Sequence, residues 1–250
     1  MKNQRLLSVL LIIMGLVTFK SSAQTKTVIL TSLEWPPYIG EKLNEMGASA
    51  KIAKAAFNEM GYTLTLQFYP WSRTVQLAKE DTKIGGYFPE YYSDEVNNEF
   101  YLSDPIGTGP LGLAERKDGA IEWSIVEDLA KIEKIGTVRD YINTTDFDNL
   151  AAKGTIKVEP VTDDATNLLK ISGNRIKCAV IDKYVMQYIL NTDPRLKDAS
   201  NLIQFNKKLL EDKKLYICFK RSEDGKKLRD IFNQGLKKVD VKAIMTDYMK

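Results

Sequence analysis

The chain has 250 residues, 44% hydrophobic and 28% charged, with 36 Lys and Arg against 33 Asp and Glu, two cysteines and no histidine. Lack of histidine excludes Ser-His-Asp and Cys-His nucleophile systems and every His-ligated metal site. Three of the basic residues, Lys2, Arg5 and Lys20, lie in the first 23 residues, which hold no acid. The remainder is formally neutral and gives no electrostatic reason to expect nucleic acid or an anionic membrane as partner.

Residues 1–23 read as a cleavable secretory leader: a basic start, an uncharged stretch from Leu6 to Phe19, then Ser21-Ser22-Ala23, with the cut expected after Ala23. Lys20 ends the apolar run short of the roughly 20 residues a membrane span needs, and no cysteine near the cut suits a lipid anchor. The expected product is a soluble, monomeric protein of the periplasm without stable membrane insertion. Cys178 and Cys218 each lie in a short apolar run that reads as a buried strand. Export permits a disulfide, but both are expected to be free thiols acting as small hydrophobes.

Beyond the leader, strand-type and helix-type segments alternate. Strands are expected at Val28–Ser32, Tyr62–Tyr69 and Ile84–Phe88, and helices at Gly47–Met60 and Ser72–Lys79. The first helix carries Ala50, Ala53, Ala56, Phe57 and Met60 on one face, and Gly61 ends it. The Pro/Gly-rich segment 103–110 reads as a loop or as a crossing between lobes. A second series places strands at Lys134–Val138, Thr155–Glu159 and Ile176–Ile181, and helices near Asp146–Ala152, Asp164–Ile171 and Lys183–Asn191. A strand at Leu215–Phe219 and helices near Asp224–Lys237 and Val241–Met249 remain. This rhythm predicts an α/β protein of two lobes, each a mainly parallel sheet flanked by helices. Residues 24–108 with 214–250 form the first lobe and 109–213 the second.

Ligands of open parallel sheets sit beyond the carboxyl ends of the strands. After the first strand, Pro36-Pro37 holds Trp35 and Tyr38 on a stiff extended segment, either a ligand wall or a cap on the core. After the second, Trp71 offers another wall. Arg73, a cation near a helix start, opposes the helix dipole unless an anion pairs with it; Ser72 suits a helix cap. After the third, Tyr87 and Tyr91 are placed near a cleft. Arg139, beside a helix start, fits an anion site or a surface pair with Asp140. Asp182 reads as an N-cap or as a carboxylate for a ligand amine.

The order of Trp35-Pro36-Pro37-Tyr38, Met60-Gly61-Tyr62, Pro70-Trp71-Ser72-Arg73, Tyr101-Leu102-Ser103-Asp104-Pro105 and Cys178-Ala179-Val180-Ile181-Asp182 resembles the family 3 extracellular solute-binding proteins. These are periplasmic components of polar amino-acid ABC importers. The resemblance implies the type II periplasmic-binding-protein architecture, with two hinge strands joining lobes that close over a small polar or zwitterionic, amino-acid-like solute. No cofactor or metal is implied. An ABC permease or a membrane receptor is the implied partner. Trp35 and Trp71 match pocket aromatics, Arg139 a cation loop of the second lobe, and Asp182 the acid that receives an α-amino group. One departure stands out: the arginine that clamps an α-carboxylate is replaced by Val96 in Asp94-Glu95-Val96. Either Arg73 takes over, or the ligand is not a standard amino acid. The alternatives are a periplasmic enzyme resembling cyclohexadienyl dehydratase, with Glu34, Glu90 and Asp182 as available acids, and a protein that presents its ligand to a signalling receptor.

Overall fold

A computed structural model of the chain describes residues 26–249; the leader lies outside them. The elements, in order, are β1 (Lys26–Ser32), α1 (Ala48–Asn58), β2 (Tyr62–Phe68), α2 (Trp71–Glu80), β3 (Gly86–Tyr91), α3 (Asp94–Glu99), β4 (Phe100–Leu102) and β5 (Gly107–Arg116). They continue with β6 (Ile135–Val138), α4 (Thr145–Ala152), β7 (Val158–Val161), α5 (Asp164–Ser172), β8 (Cys178–Asp182) and α6 (Lys183–Thr192). The chain closes with β9 (Ile203–Phe205), β10 (Glu211–Lys220), α7 (Glu223–Leu236) and α8 (Val241–Tyr248).

The strands run in the order β2-β1-β3-β10-β5-β8-β6-β7, with β4 added on β10 and β9 on β5. At one end β1 is parallel to β2 and β3; at the other β6 is parallel to β7 and β8. Between them β5 and β10 pair antiparallel from Gly107–Leu215 to Leu111–Glu211. Each then continues into a different lobe: β5 onto β8 and β9, β10 onto β3 and β4. The segment 103–110 is thus a loop only up to Ile106, and Gly107–Pro110 begins a ten-residue hinge strand. Gly and Pro hide that strand from composition alone.

All six residues of β3 are buried, as expected for a strand covered on both faces. It extends past Phe88 to Tyr91 although Pro89 has no N–H for the ladder. The pairing with β10 shifts register between Tyr216 and Cys218, opposite this proline, and an irregularity of that kind accommodates proline inside a sheet. Ser32 Oγ donates to the Phe88 carbonyl at 2.6 Å. β7 lies about three residues later than expected, at the sheet edge where Pro160 is tolerated.

In the first lobe, α1 buries Ile52, Ala53, Ala56 and Phe57. Phe57 packs on Phe232 of α7 with ring centroids 5.2 Å apart, and Phe232 meets Phe219 of β10 at 5.8 Å. The C-terminal helices therefore sit with the first lobe. Cys178 and Cys218 are buried free thiols.

Candidate functional site

The loop after β1 is not extended. Trp35 N donates to Ile39 O at 2.8 Å and Tyr38 N to Trp35 O at 3.1 Å, so Pro36-Pro37 closes a tight turn. That turn stacks Tyr38 on Trp35, with centroids 4.6 Å apart and planes 19° off parallel. Tyr91, from the end of β3, meets Trp35 edge-on at 5.9 Å. Trp71, the first residue of α2, meets Tyr87 at 5.5 Å and Tyr141 of the second lobe at 5.7 Å, both edge-on. These rings line the seam between the lobes.

Asp182 lies across that seam, 2% exposed at the end of β8. The cap reading holds, and its two oxygens have separate partners. Oδ1 accepts from the backbone N–H groups of Tyr184 and Val185, at 2.8 and 3.2 Å, and caps α6. Oδ2 accepts from the hydroxyls of Tyr38, at 3.0 Å, and Tyr91, at 3.4 Å. Pairing of Leu111 with Asp182 fixes this position beside the hinge. Two more contacts cross the seam: Trp71 Nε1 donates to the Asp140 carbonyl at 2.9 Å, and Ser72 Oγ to the Asp140 carboxylate. Ser72 is therefore not the cap of α2; Pro70 holds that position without a side-chain bond.

Two further carboxylates are buried here. Glu90 Oε2 accepts from the Tyr87 hydroxyl at 3.0 Å, and Oε1 from Tyr91 N at 2.7 Å. Asp164, at the start of α5, is 6% exposed. Burial pushes Glu90 up to about 8, against the lowering effect of its hydrogen bonds. Burial, then the nearby Asp182 and Asp163 charges, push Asp164 up to about 7, with a hydrogen bond from Trp35 acting the other way. Burial likewise takes Asp182 to about 7 despite four hydrogen bonds. The buried cations among the described residues are Lys170 and Lys213. Lys170 pairs with Glu159 at 2.7 Å. Lys213 sits 5.5 Å from the Tyr91 ring centroid and 3.7 Å from Glu211. Among the described residues no arginine lines the seam cavity or its mouth.

Of the residues expected at the site, Trp35, Tyr38, Trp71, Tyr87 and Asp182 come together. Arg73 and Arg139 do not. Arg73 is exposed and donates to Gln76 Oε1 at 3.0 Å, and Arg139 is exposed on the loop after β6. Val96, at the position of the missing clamp, is buried in α3. Sequence reasoning missed Asp164, Tyr141 and Asp148 as site residues. Asp164 opens the helix that follows β7, as Asp182 caps the helix that follows β8, and an acid at a strand-to-helix junction is the signal that could have singled it out. Asp148 accepts from Asn143 N and Nδ2 at 2.9 and 2.7 Å, and burial raises it. Between the lobes a cavity of about 30 Å³ remains, lined by Trp35, Trp71, Glu90, Tyr91 and Tyr141. Beside it a mouth of about 580 Å³ is lined by Trp71, Tyr87, Glu90, Asp140, Tyr141 and Asp148. Among the described residues no group of three or more acidic or cysteine side chains is placed to hold a metal ion.

No protein-family profile matches the chain and no curated protein matches it. Solved structures match nearly all of it. A histidine kinase sensor domain with similarity to periplasmic binding proteins aligns with a TM-score of 0.74 at 17% identity, over 89% of this chain and 95% of that one. The GluR0 ligand-binding core from Nostoc punctiforme, in complex with L-glutamate, gives 0.68 at 16% over 88% and 96%. The chain has the type II periplasmic-binding-protein fold. Another protein of similar fold is the ancestral amino acid-binding protein AncCDT-1, a precursor of cyclohexadienyl dehydratase, at 0.70 and 16% over 90% and 96%. No described helix of this periplasmic-binding-protein fold is long and apolar enough to cross a membrane.

The buried acids make the lobe seam sensitive to pH. Glu90, Asp164 and Asp182 bind protons more tightly folded than unfolded. Between about pH 4 and 8 the folded state therefore carries the extra protons. Their contribution to stability is complete below the unfolded values near 4 and is lost as pH rises through the folded values of about 7 to 8. The ligand-free protein should melt at a lower temperature at pH 8 than at pH 5, with the fall levelling off once pH passes the folded values. Thermal denaturation across that range tests this; a flat or rising profile would contradict it.

Proposed function

We propose that this is a periplasmic solute-binding protein, exported by residues 1–23 and cut after Ala23, that closes two lobes on a small organic cation bearing an amino group. The supporting observation is the charge balance of the seam: three buried carboxylates, Glu90, Asp164 and Asp182, among aromatic rings and without a guanidinium. Lys213 offsets part of the charge at Glu90, but buried carboxylates that outnumber their counter-charges are costly, and a cation between them relieves that cost. Ring faces of Trp35, Trp71, Tyr87 and Tyr141 suit the same ligand. A standard α-amino acid fits less well, because Arg73 is turned outward and Val96 stands where a clamp would be. Residues 24–108 with 214–250, and 109–213, serve as the two lobes, with the boundaries inside β5 and β10 as hinge. Delivery is to an ABC permease or a membrane receptor; the likeness to a sensor domain gives the receptor equal standing.

The test is a thermal-shift screen of amino acids, diamines, polyamines and quaternary ammonium compounds at pH 8. A true ligand at a hundredfold over its dissociation constant adds about 2.7 kcal/mol of stability. Its affinity should rise from pH 5 to pH 8, because below the carboxylates' folded values binding must first expel their protons. If only neutral or anionic solutes stabilise the protein, the cation reading fails. A dehydratase reading draws on Glu90, which burial holds near 8 at the cavity wall. Elimination of water from a cyclohexadienyl acid by the purified protein would favour it.

A further inference from the structure

Beside the hinge strands lies a groove of about 910 Å³. Its walls come from both lobes and from the hinge itself, and its character is opposite to that of the seam. Lys183, Lys207, Lys214 and Lys242 line it, against one acid, Asp212. Among the described residues, none of these four side-chain ammonium groups is engaged in an ion pair, a hydrogen bond or a ring contact. The groove floor is apolar, built from Phe205, Val241, Met245 and Met249, with Leu209, one of the exposed large hydrophobics, at its edge.

We propose that this groove is a second binding site, for a small organic anion with an apolar body. Four uncompensated ammonium groups around one concavity focus a positive potential that attracts anions. Inorganic anions alone would leave the floor uncovered. A hydrophobic body seated on Phe205, Met245 and Met249 supplies burial that a bare phosphate cannot. The volume lies within the range of small-molecule sites, roughly 300–1,000 Å³. The lysines lie at the start of α6, on the loop after β9, on β10 and on α8, so one ligand can be held from both lobes. This proposal does not rest on what the seam binds.

The probe is 1-naphthyl phosphate, titrated calorimetrically into the full mature protein, with inorganic phosphate and 1-naphthol in separate arms. The expected result is binding at least tenfold tighter for naphthyl phosphate than for either fragment, weakening as salt is raised across the range where exposed charges are screened. The double variant Lys207→Glu/Lys242→Glu should lose that binding at least tenfold, while Lys157→Glu, on the distant β7 side, should not. Methyl NMR signals of Met245 and Met249 should shift with the probe and that of Met60 should not, which keeps the outcome readable if a variant folds poorly. No binding, equal binding of the fragments, unchanged binding in the double variant, or shifts confined to other methionines would each overturn the proposal.

Discussion

Replacing Asp182 with asparagine is expected to weaken binding of an amine ligand at least a hundredfold, about 2.7 kcal/mol. The same change should raise the melting temperature of the ligand-free protein at pH 8. The two effects have opposite signs for one reason. Asparagine keeps an oxygen for the Tyr184 and Val185 N–H groups, so the cap on α6 survives. Its amide meets the Tyr38 and Tyr91 hydroxyls, which can turn to accept. What disappears is a charge that burial makes unfavourable without a ligand and that a bound cation needs. Calorimetric titration and thermal denaturation of the same preparation read both. Wild-type affinity in Asp182→Asn would mean the amine is held elsewhere.

Replacing Gly109 with alanine should hold the lobes apart. A methyl group there would overlap Asp182 Oδ2 and the Tyr38 hydroxyl at once. Neither can yield cheaply. Tyr38 is fully buried and stacked on Trp35, and the Asp182 carboxylate is fixed by its cap on α6. Gly109 itself pairs with Lys213 in the hinge, and that ladder does not depend on the side chain. Gly109→Ala is therefore expected to fold, to show a larger radius of gyration by small-angle scattering, and to bind its solute at least tenfold more weakly. Gly119→Ala, where an added Cβ meets nothing, is the control. A wild-type radius with wild-type affinity would dismiss the role given to Gly109.

Much of this architecture is legible in the sequence because it is written locally. The face of α1 that carries Ala53, Ala56 and Phe57 appears as spacing, and the helix begins and ends within two residues of its expected bounds. The same holds for α5, α6 and α7. The hinge strand β5 is hidden because its Gly-Thr-Gly-Pro start has the composition of a loop, and only pairing with β10 makes it a strand. The Trp35–Tyr38 segment was expected to be extended and is a turn, since proline fixes φ but leaves ψ to its surroundings. Aromatics were readable as site residues from their position after strands. The acidity of the seam was not. An aspartate at a helix start such as Asp164 is an ordinary sight, and its meaning depends on Asp182 being a neighbour in space.

On the proposed function, the division of Asp182 between its two oxygens bears on how fast a solute would leave. Parting the lobes breaks the bonds on Oδ2, together with those that Trp71 and Ser72 make to Asp140. The bonds on Oδ1 lie within the second lobe and stay made. Each lobe can therefore swing as an intact body, with no helix end uncapped along the way. The cost of opening would then be set by these hydrogen bonds, at about 1 kcal/mol each, and by the ring contacts of Trp71 with Tyr141 and of Tyr38 with Tyr184, rather than by the stability of either lobe. A receptor or permease that prises the lobes apart would only have to outweigh those few contacts, and dissociation could be hastened or slowed by tuning a single tyrosine hydroxyl without touching the fold.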